Sequence, residues 1–294
     1  MNKNKNLFYL LWSAAIVVCV VLAILALGIS ACAKQGGADK PEETPGFTVE
    51  SARPDPKAPA QSGEAPAQET PAAETPTPAP PTATPAPTRL AETPDAGRAY
   101  LDKIIFLGDS TTYGIGVYYG FGYTELCPPE QVWTPASGTL TLSYYNIATI
   151  VYPETKEELT IEEAVKRAKP EILVITLGVN GIAFMDEEWF IRDYTSLVQL
   201  IQAASPDTKI ILNSIYPVAD SYKYQKDMNN DKINAANTWI ERIAADTGVR
   251  FLYSWETLAE NGKLPESAQN GDGLHLNGES FTKVMQYIRT HAYQ

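Results

Sequence analysis

Only two histidines occur in the chain, so acid–base chemistry near neutral pH has few places to sit. His291 is three residues from the C-terminus in a helical pattern and reads as exposed. His275 lies in the Gly-rich stretch NGDGLHLN, with Asp272 three residues before it. On a tight turn this spacing lets the carboxylate reach the ring Nδ1 and leaves Nε2 to face a nucleophile. The same pattern also suits a surface loop with a capping aspartate. The candidate nucleophile is Ser110, in IIFLGDSTTYG from Ile104 to Gly114, where an apolar run stops on Gly-Asp-Ser. Two readings fit: a strand-to-helix turn capped by Asp109 or Ser110, and a serine presented for attack. Acyl transfer also needs donors aimed at the developing oxyanion. Asn180, in LGVNGI, offers its amide and Ser110 its N–H, although Asn-Gly is equally a common turn pair.

The elements around these residues alternate between strand-like and helix-like. KIIFL from Lys103 and EILVITLG ending at Gly178 read as buried strands, and KIILNSI from Lys209 and VRFLYS from Val249 as further ones. Between them the spacing predicts helices over Ile161 to Ala168, from Asp186 onward, from Ile233 to a stop at Gly248, and from Ser280 to His291. This rhythm predicts an α/β domain with a doubly wound parallel sheet, whose ligands bind beyond the carboxyl ends of the strands. Ser110, Asn180 and the Asp272–His275 pair all fall at such ends.

The rest of the chain has a different character. Of its 22 prolines, 14 lie between Pro41 and Pro94, in a stretch with few large apolar residues. Such a composition cannot offset its ordering entropy and reads as a disordered linker over residues 34–97, able to extend about 3 Å per residue. Residues 1–33 carry Lys3 and Lys5 and then an uncharged apolar run long enough to span a bilayer, with the N-terminus on the cytoplasmic side. The run ends in Ile29-Ser30-Ala31-Cys32, which resembles a lipobox with Cys32 as the lipidated residue. A signal anchor and a lipoprotein signal both fit, and both tether residues 98–294 outside the cytoplasmic membrane. That domain holds 25 acidic and 16 basic residues, which argues against nucleic acid as a partner. Its single cysteine, Cys127, reads as a buried or idle thiol, and no metal-ligand cluster is evident.

FLGDSTTYG, LGVN and DGLHLN, in this order and spacing, resemble the conserved blocks of the SGNH/GDSL hydrolase superfamily. The resemblance implies a flavodoxin-like three-layer α/β/α fold and ester hydrolysis through an acyl-enzyme, with no cofactor. By position it implies Ser110 as nucleophile, His275 as general base and acid, Asp272 as orienting carboxylate and Asn180 as oxyanion donor. This chain departs from the family in two places. Gly181 stands where many members have aspartate. The family's second block is matched only by NIATIV from Asn146, which puts Val151 where a glycine N–H completes the oxyanion hole. Asp109, Tyr113 and Tyr145 are the expected substrate contacts. They accompany a run of aromatic residues (Tyr118, Tyr119, Phe121, Tyr123, Trp133, Tyr144) that can stack on sugar rings, accept an acyl chain, or simply cover the sheet edge. The expected substrate is an acylated carbohydrate. A lysophospholipase or thioesterase and a catalytically idle carbohydrate-binding domain are the alternatives.

Overall fold

The computed structural model describes residues 88–294. The expected membrane segment with Cys32, and most of the expected linker, lie outside the described residues. Among those residues no helix is long and apolar enough to cross a membrane. In chain order they form α1 (Arg98–Leu101), β1 (Ile104–Gly108), α2 (Ser110–Gly120), β2 (Val132–Trp133), β3 (Thr149–Val151) and β4 (Glu158–Thr160). There follow α3 (Ile161–Ala168), β5 (Ile172–Thr176), α4 (Glu187–Ala204), β6 (Lys209–Asn213), α5 (Asn230–Thr247), β7 (Arg250–Leu252), α6 (Trp255–Leu258) and α7 (Gly278–Thr290).

The main sheet runs β2-β1-β5-β6-β7 with every neighbouring pair parallel, while β3 and β4 form a separate antiparallel hairpin. β5 is buried at all its positions, as a parallel strand covered on both faces must be. Successive strand residues feed two cores. Leu107, Leu173, Ile175, Leu212 and Phe251 pack with side chains of α3, α4 and α5, such as Val165, Phe190 and Ile240. Ile104, Phe106, Ile172, Val174, Ile211 and Leu252 pack on the other face with Ile115 of α2 and Phe281 and Val284 of α7. The result is a three-layer α/β/α fold whose strand order reverses between β1 and β5, which opens a crevice at the carboxyl ends of those two strands.

Polar caps start the long helices, and two of them begin earlier than the apolar pattern predicts, at Asn230 rather than Ile233 and at Gly278 rather than Ser280. Asp186 accepts the N–H of Trp189, Asn229 that of Lys232 and Asn277 that of Ser280, and Thr160 with Glu163 forms a reciprocal capping box. Each such cap stabilises its helix by about 1 kcal/mol. β2 and the β3–β4 hairpin escape sequence reading because strands of two and three residues are too short to show a period. The linker boundary also moves. Residues 88–97 belong to the folded part, since the Leu90 N–H donates to Phe251 O at 2.8 Å and the Phe251 N–H to Thr88 O at 2.9 Å. These bonds cover the open edge of β7. Arg89 pairs with Glu241 and Arg289 with Asp95 along the same strap.

Gly108 closes β1 at a point where no side chain fits. A Cβ there would lie 2.0 Å from Thr112 Oγ1 and 2.5 Å from the carbonyl oxygen of Thr176. The second atom is backbone of the neighbouring strand and cannot rotate away. Gly108→Ala is therefore expected to destabilise the domain by about 1–3 kcal/mol. Urea denaturation followed by circular dichroism checks this, and an unchanged midpoint would contradict it.

Candidate functional site

The loop between β7 and α7 is built to hold an imidazole. Asp272 Oδ1 accepts the backbone N–H groups of Leu274 and His275 at 2.8 and 2.9 Å, which folds the chain back on the aspartate. The other oxygen, Oδ2, lies 2.6 Å from His275 Nδ1. Gly273 sits between them with φ of +81°, and a Cβ there would lie 2.5 Å from the N atom of Tyr222. Only glycine suits both the backbone conformation and the close approach. The Ala219 N–H donates to Gly273 O and the Gly273 N–H to Gln269 Oε1, so the loop is tied on both sides.

Across the crevice, His275 Nε2 is 2.9 Å from Ser110 Oγ, 165 residues away in sequence. With Asp272 on Nδ1, that nitrogen carries the ring proton and Nε2 accepts from the serine hydroxyl. Burial pushes the Asp272 carboxyl up, but its hydrogen bonds with His275 and the loop N–H groups outweigh this and hold it below its ordinary value. The carboxylate therefore stays charged at neutral pH.

Ser110 is the first residue of α2, and its own N–H makes no hydrogen bond within the described chain. Asn180 stands on a turn after β5 that is closed by the N–H groups of Gly181 and Ile182, both donating to Gly178 O at 2.8 and 3.0 Å. Gly181 thus takes part in a closed turn without the aspartate common in the family. One amide proton of Asn180 goes to Leu140 O at 3.1 Å, leaving the other available.

Val151 does not supply a donor. Its N–H is spent on Thr134 O at 3.1 Å, and NIATIV runs into the β3–β4 hairpin rather than into the loop after β2. The loop that does follow β2 reaches the site. Its Leu140 carbonyl holds Asn180, and its Gly138 lies against the Tyr113 ring, with a Cβ there 3.4 Å from that ring. The Ala136 N–H in the same loop is exposed and has no acceptor within the described chain.

The expected substrate contacts divide. Tyr113, on the first turn of the serine helix, is 43% exposed and free to meet a ligand. Tyr145 is half-buried against the core shared with α4. Asp109 cannot touch substrate, being 1% exposed, with Oδ1 accepting the Thr111 N–H and hydroxyl at 2.9 and 2.7 Å. It caps α2, and burial raises its carboxyl to about 6 against those hydrogen bonds. Tyr118 and Tyr123 cover the second core, and Tyr123 donates to Glu279 at 2.8 Å. An aromatic pair the sequence analysis missed, Tyr222 and Tyr224, stands edge to face beside Gly273, with Tyr224 63% exposed. Cys127 is fully buried and its thiol is pushed up to about 12 by that burial, so it is chemically idle.

Below the site a buried polar network ties the strand ends together. Asn213 donates to Thr176 Oγ1 at 3.1 Å and accepts from the Ser254 hydroxyl at 2.6 Å, while Ser214 Oγ accepts the Trp255 N–H at 2.9 Å. Among the described residues no His, Cys, Asp and Glu cluster could hold a metal ion.

Residues 106–280 match the model of the GDSL-like Lipase/Acylhydrolase family, well over half of the chain. No curated protein matches the sequence. Among solved structures, a GDSL-like lipase from Bacteroides thetaiotaomicron is similar at 20% identity, over 63% of this chain and 85% of that one, with a TM-score of 0.44. A catalytic mutant of Axe2, an acetylxylan esterase from Geobacillus stearothermophilus, is similar at 16% identity, over 65% and 94%, with a TM-score of 0.44. The periplasmic domain of a lipopolysaccharide acetyltransferase from Salmonella ser. Paratyphi A is similar at 15% identity, over 63% and 82%, with a TM-score of 0.44. With Ser110, His275 and Asp272 in one connected line at the crevice of the sheet, the chain belongs to the GDSL-like lipase/acylhydrolase family and is an SGNH-type serine hydrolase of ester bonds.

Proposed function

We propose that this protein removes short acyl groups, acetyl above all, from a carbohydrate or cell-wall polymer outside the cytoplasmic membrane. The observation that carries the chemistry is the unbroken line from Ser110 Oγ through His275 to Asp272, at 2.9 and 2.6 Å. Ser110 Oγ attacks the ester carbonyl while His275 Nε2 takes its proton, and the Asp272 carboxylate stabilises the imidazolium that results. The Ser110 N–H and the free amide proton of Asn180 receive the oxyanion, with the Ala136 N–H as the third donor. His275 then protonates the leaving alcohol, and a water activated by the same imidazole releases the acid from Ser110.

The sugar side of this reading is supported by aromatic rings near the triad, the exposed Tyr113 on the serine helix and the half-buried Tyr222 beside Gly273 with the exposed Tyr224 against it. Tyrosine presents an apolar face and a polar tip, which suits a pyranose ring. The tethered location is supported by the lysine-flanked apolar run of residues 1–33 and the proline-rich stretch after it. The alternative is a longer acyl chain, for which the domain offers a mostly apolar hollow of about 310 Å³ lined by Ile182, Phe184, Met185 and Trp239 together with Asp186 and Lys232.

Three outcomes are expected. Ser110→Ala lowers hydrolysis of a short aryl ester by about 10³-fold or more with an unchanged circular dichroism spectrum. Hydrolysis that survives this change would remove the serine from the mechanism. Asp272→Asn, which keeps the shape but allows the wrong tautomer, lowers kcat by about 10²–10⁴-fold at neutral pH. Across a series of esters, kcat/KM is highest for acetyl and falls with chain length, and a rise towards long chains would transfer the assignment to a lipid substrate.

A further inference from the structure

The catalytic loop carries Asp272 between two glycines of positive φ, +121° at Gly271 and +81° at Gly273. Glycine backbone has many conformations open to it, so groups outside it must select one. The base of the loop is closed by the Asn270 N–H, which donates to His275 O at 2.9 Å, and by an antiparallel bridge of Gln269 with Leu276. Within that closure the selection falls to one side chain. Gln269 Oε1 accepts the N–H of Gly271 and, at 3.0 Å, the N–H of Gly273, the residues on either side of Asp272.

An amide oxygen has two lone pairs, and the two glycines use both. The arrangement holds only with the oxygen towards the loop, because a flipped amide would set its own N–H groups against two donors. Glu266 fixes this direction. Its Oε2 accepts from Gln269 Nε2 at 3.0 Å, and a carboxylate can only accept. Glu266 is anchored in turn, with Oε1 on the Ser221 N–H at 3.0 Å and Oε2 on the Ser221 hydroxyl at 2.7 Å. Ser221 belongs to the segment that packs directly on the loop. There the Ala219 N–H donates to Gly273 O at 2.8 Å, and the Tyr222 N atom leaves no room for a Cβ on Gly273. Ser221, Glu266, Gln269 and Gly273 thus form a ring of contacts that closes beside Asp272.

Resting on the serine-hydrolase reading above, we propose that Gln269 is a positioning residue of the reaction, which aims Asp272 at His275 Nδ1, and that Glu266 sets the direction of its amide. Both act through Asp272. Without Gln269 the two glycine N–H groups lose their acceptor, and the backbone that carries the carboxylate is free to turn. Support for the imidazolium, which is needed only in the transition state, is then weakened, whereas binding of a small ester does not depend on it.

The test is steady-state hydrolysis of phenyl acetate by the full chain at neutral pH, with folding checked by circular dichroism. Gln269→Ala is expected to lower kcat by about 10–100-fold and to change KM by less than about 3-fold. Glu266→Gln alters an exposed side chain, lets the Gln269 amide point either way, and should lower kcat by about 3–10-fold. Gln269→Glu sets two carboxylates against each other and should also lose activity. Adding Glu266→Gln to it restores one donor and one acceptor with the polarity exchanged, and should bring kcat back to within about 5-fold of wild type. An unchanged kcat in Gln269→Ala, a rise in KM that matches the fall in kcat, or a double exchange no better than Gln269→Glu alone overturns the role of Gln269. Should Gln269→Ala fail to fold, Glu266→Gln and the double exchange decide by the same criteria. Any of these failures with Ser110→Ala inactive leaves the serine-hydrolase reading standing, whereas full activity in Ser110→Ala removes that reading itself.

Discussion

The register of β1 against β5, which sets Gly108 beside Thr176, is the constraint on which the site depends. Parallel pairing brings the carboxyl ends of the two strands level, so the chain leaves both at the same height. Ser110 follows one end and Asn180 the other, at the place where the strand order turns back. A shift of one residue would turn every alternating side chain of β1 into the wrong core and carry Ser110 away from Asn180. The cost of holding this register is visible in Gly108, where the neighbouring strand approaches too closely for any side chain. The buried network of Thr176, Asn213, Ser254 and Ser214 fixes the adjoining ends in the same plane.

Electrostatics at the site follow from unequal burial of two carboxyls. Asp272 sits in a half-open loop and is surrounded by donors, so it remains a charged partner for His275. Asp109 is buried with donors on one oxygen only, so its charge is far more expensive. The same residue type thus acquires two different acidities within one catalytic cluster, by environment alone. The strap of residues 88–97 acts on the other side of the molecule, where it pairs with β7 and leaves no open edge there for another chain to join.

Much of this was readable before any coordinates. The helices over Ile161–Ala168, from Asp186 onward, from Ile233 to Gly248 and from Ser280 to His291 follow from apolar spacing, and the last two start earlier, at Asn230 and Gly278, because the polar caps Asn229 and Asn277 lie outside the apolar pattern. β1 and β5 follow from continuous apolar runs. Local information fails where elements are too short to carry a period. β2 has two residues and was missed, and the N–H of Val151, expected as the third oxyanion donor, is committed to Thr134.

What the sequence alone determined is what neighbours in the chain decide. An aspartate three residues before a histidine in a glycine-rich turn makes the Asp272–His275 pair, and a serine after a buried strand makes a helix start. Only the tertiary structure decided that His275 meets Ser110 across 165 residues, that Tyr113 is open while Tyr145 is half-buried against the core, and that Asp109 is buried rather than facing substrate. The physical reason is that exposure and long-range contact are set by sheet register and by the packing of helix layers. Those quantities depend on every element at once and on no single stretch of residues.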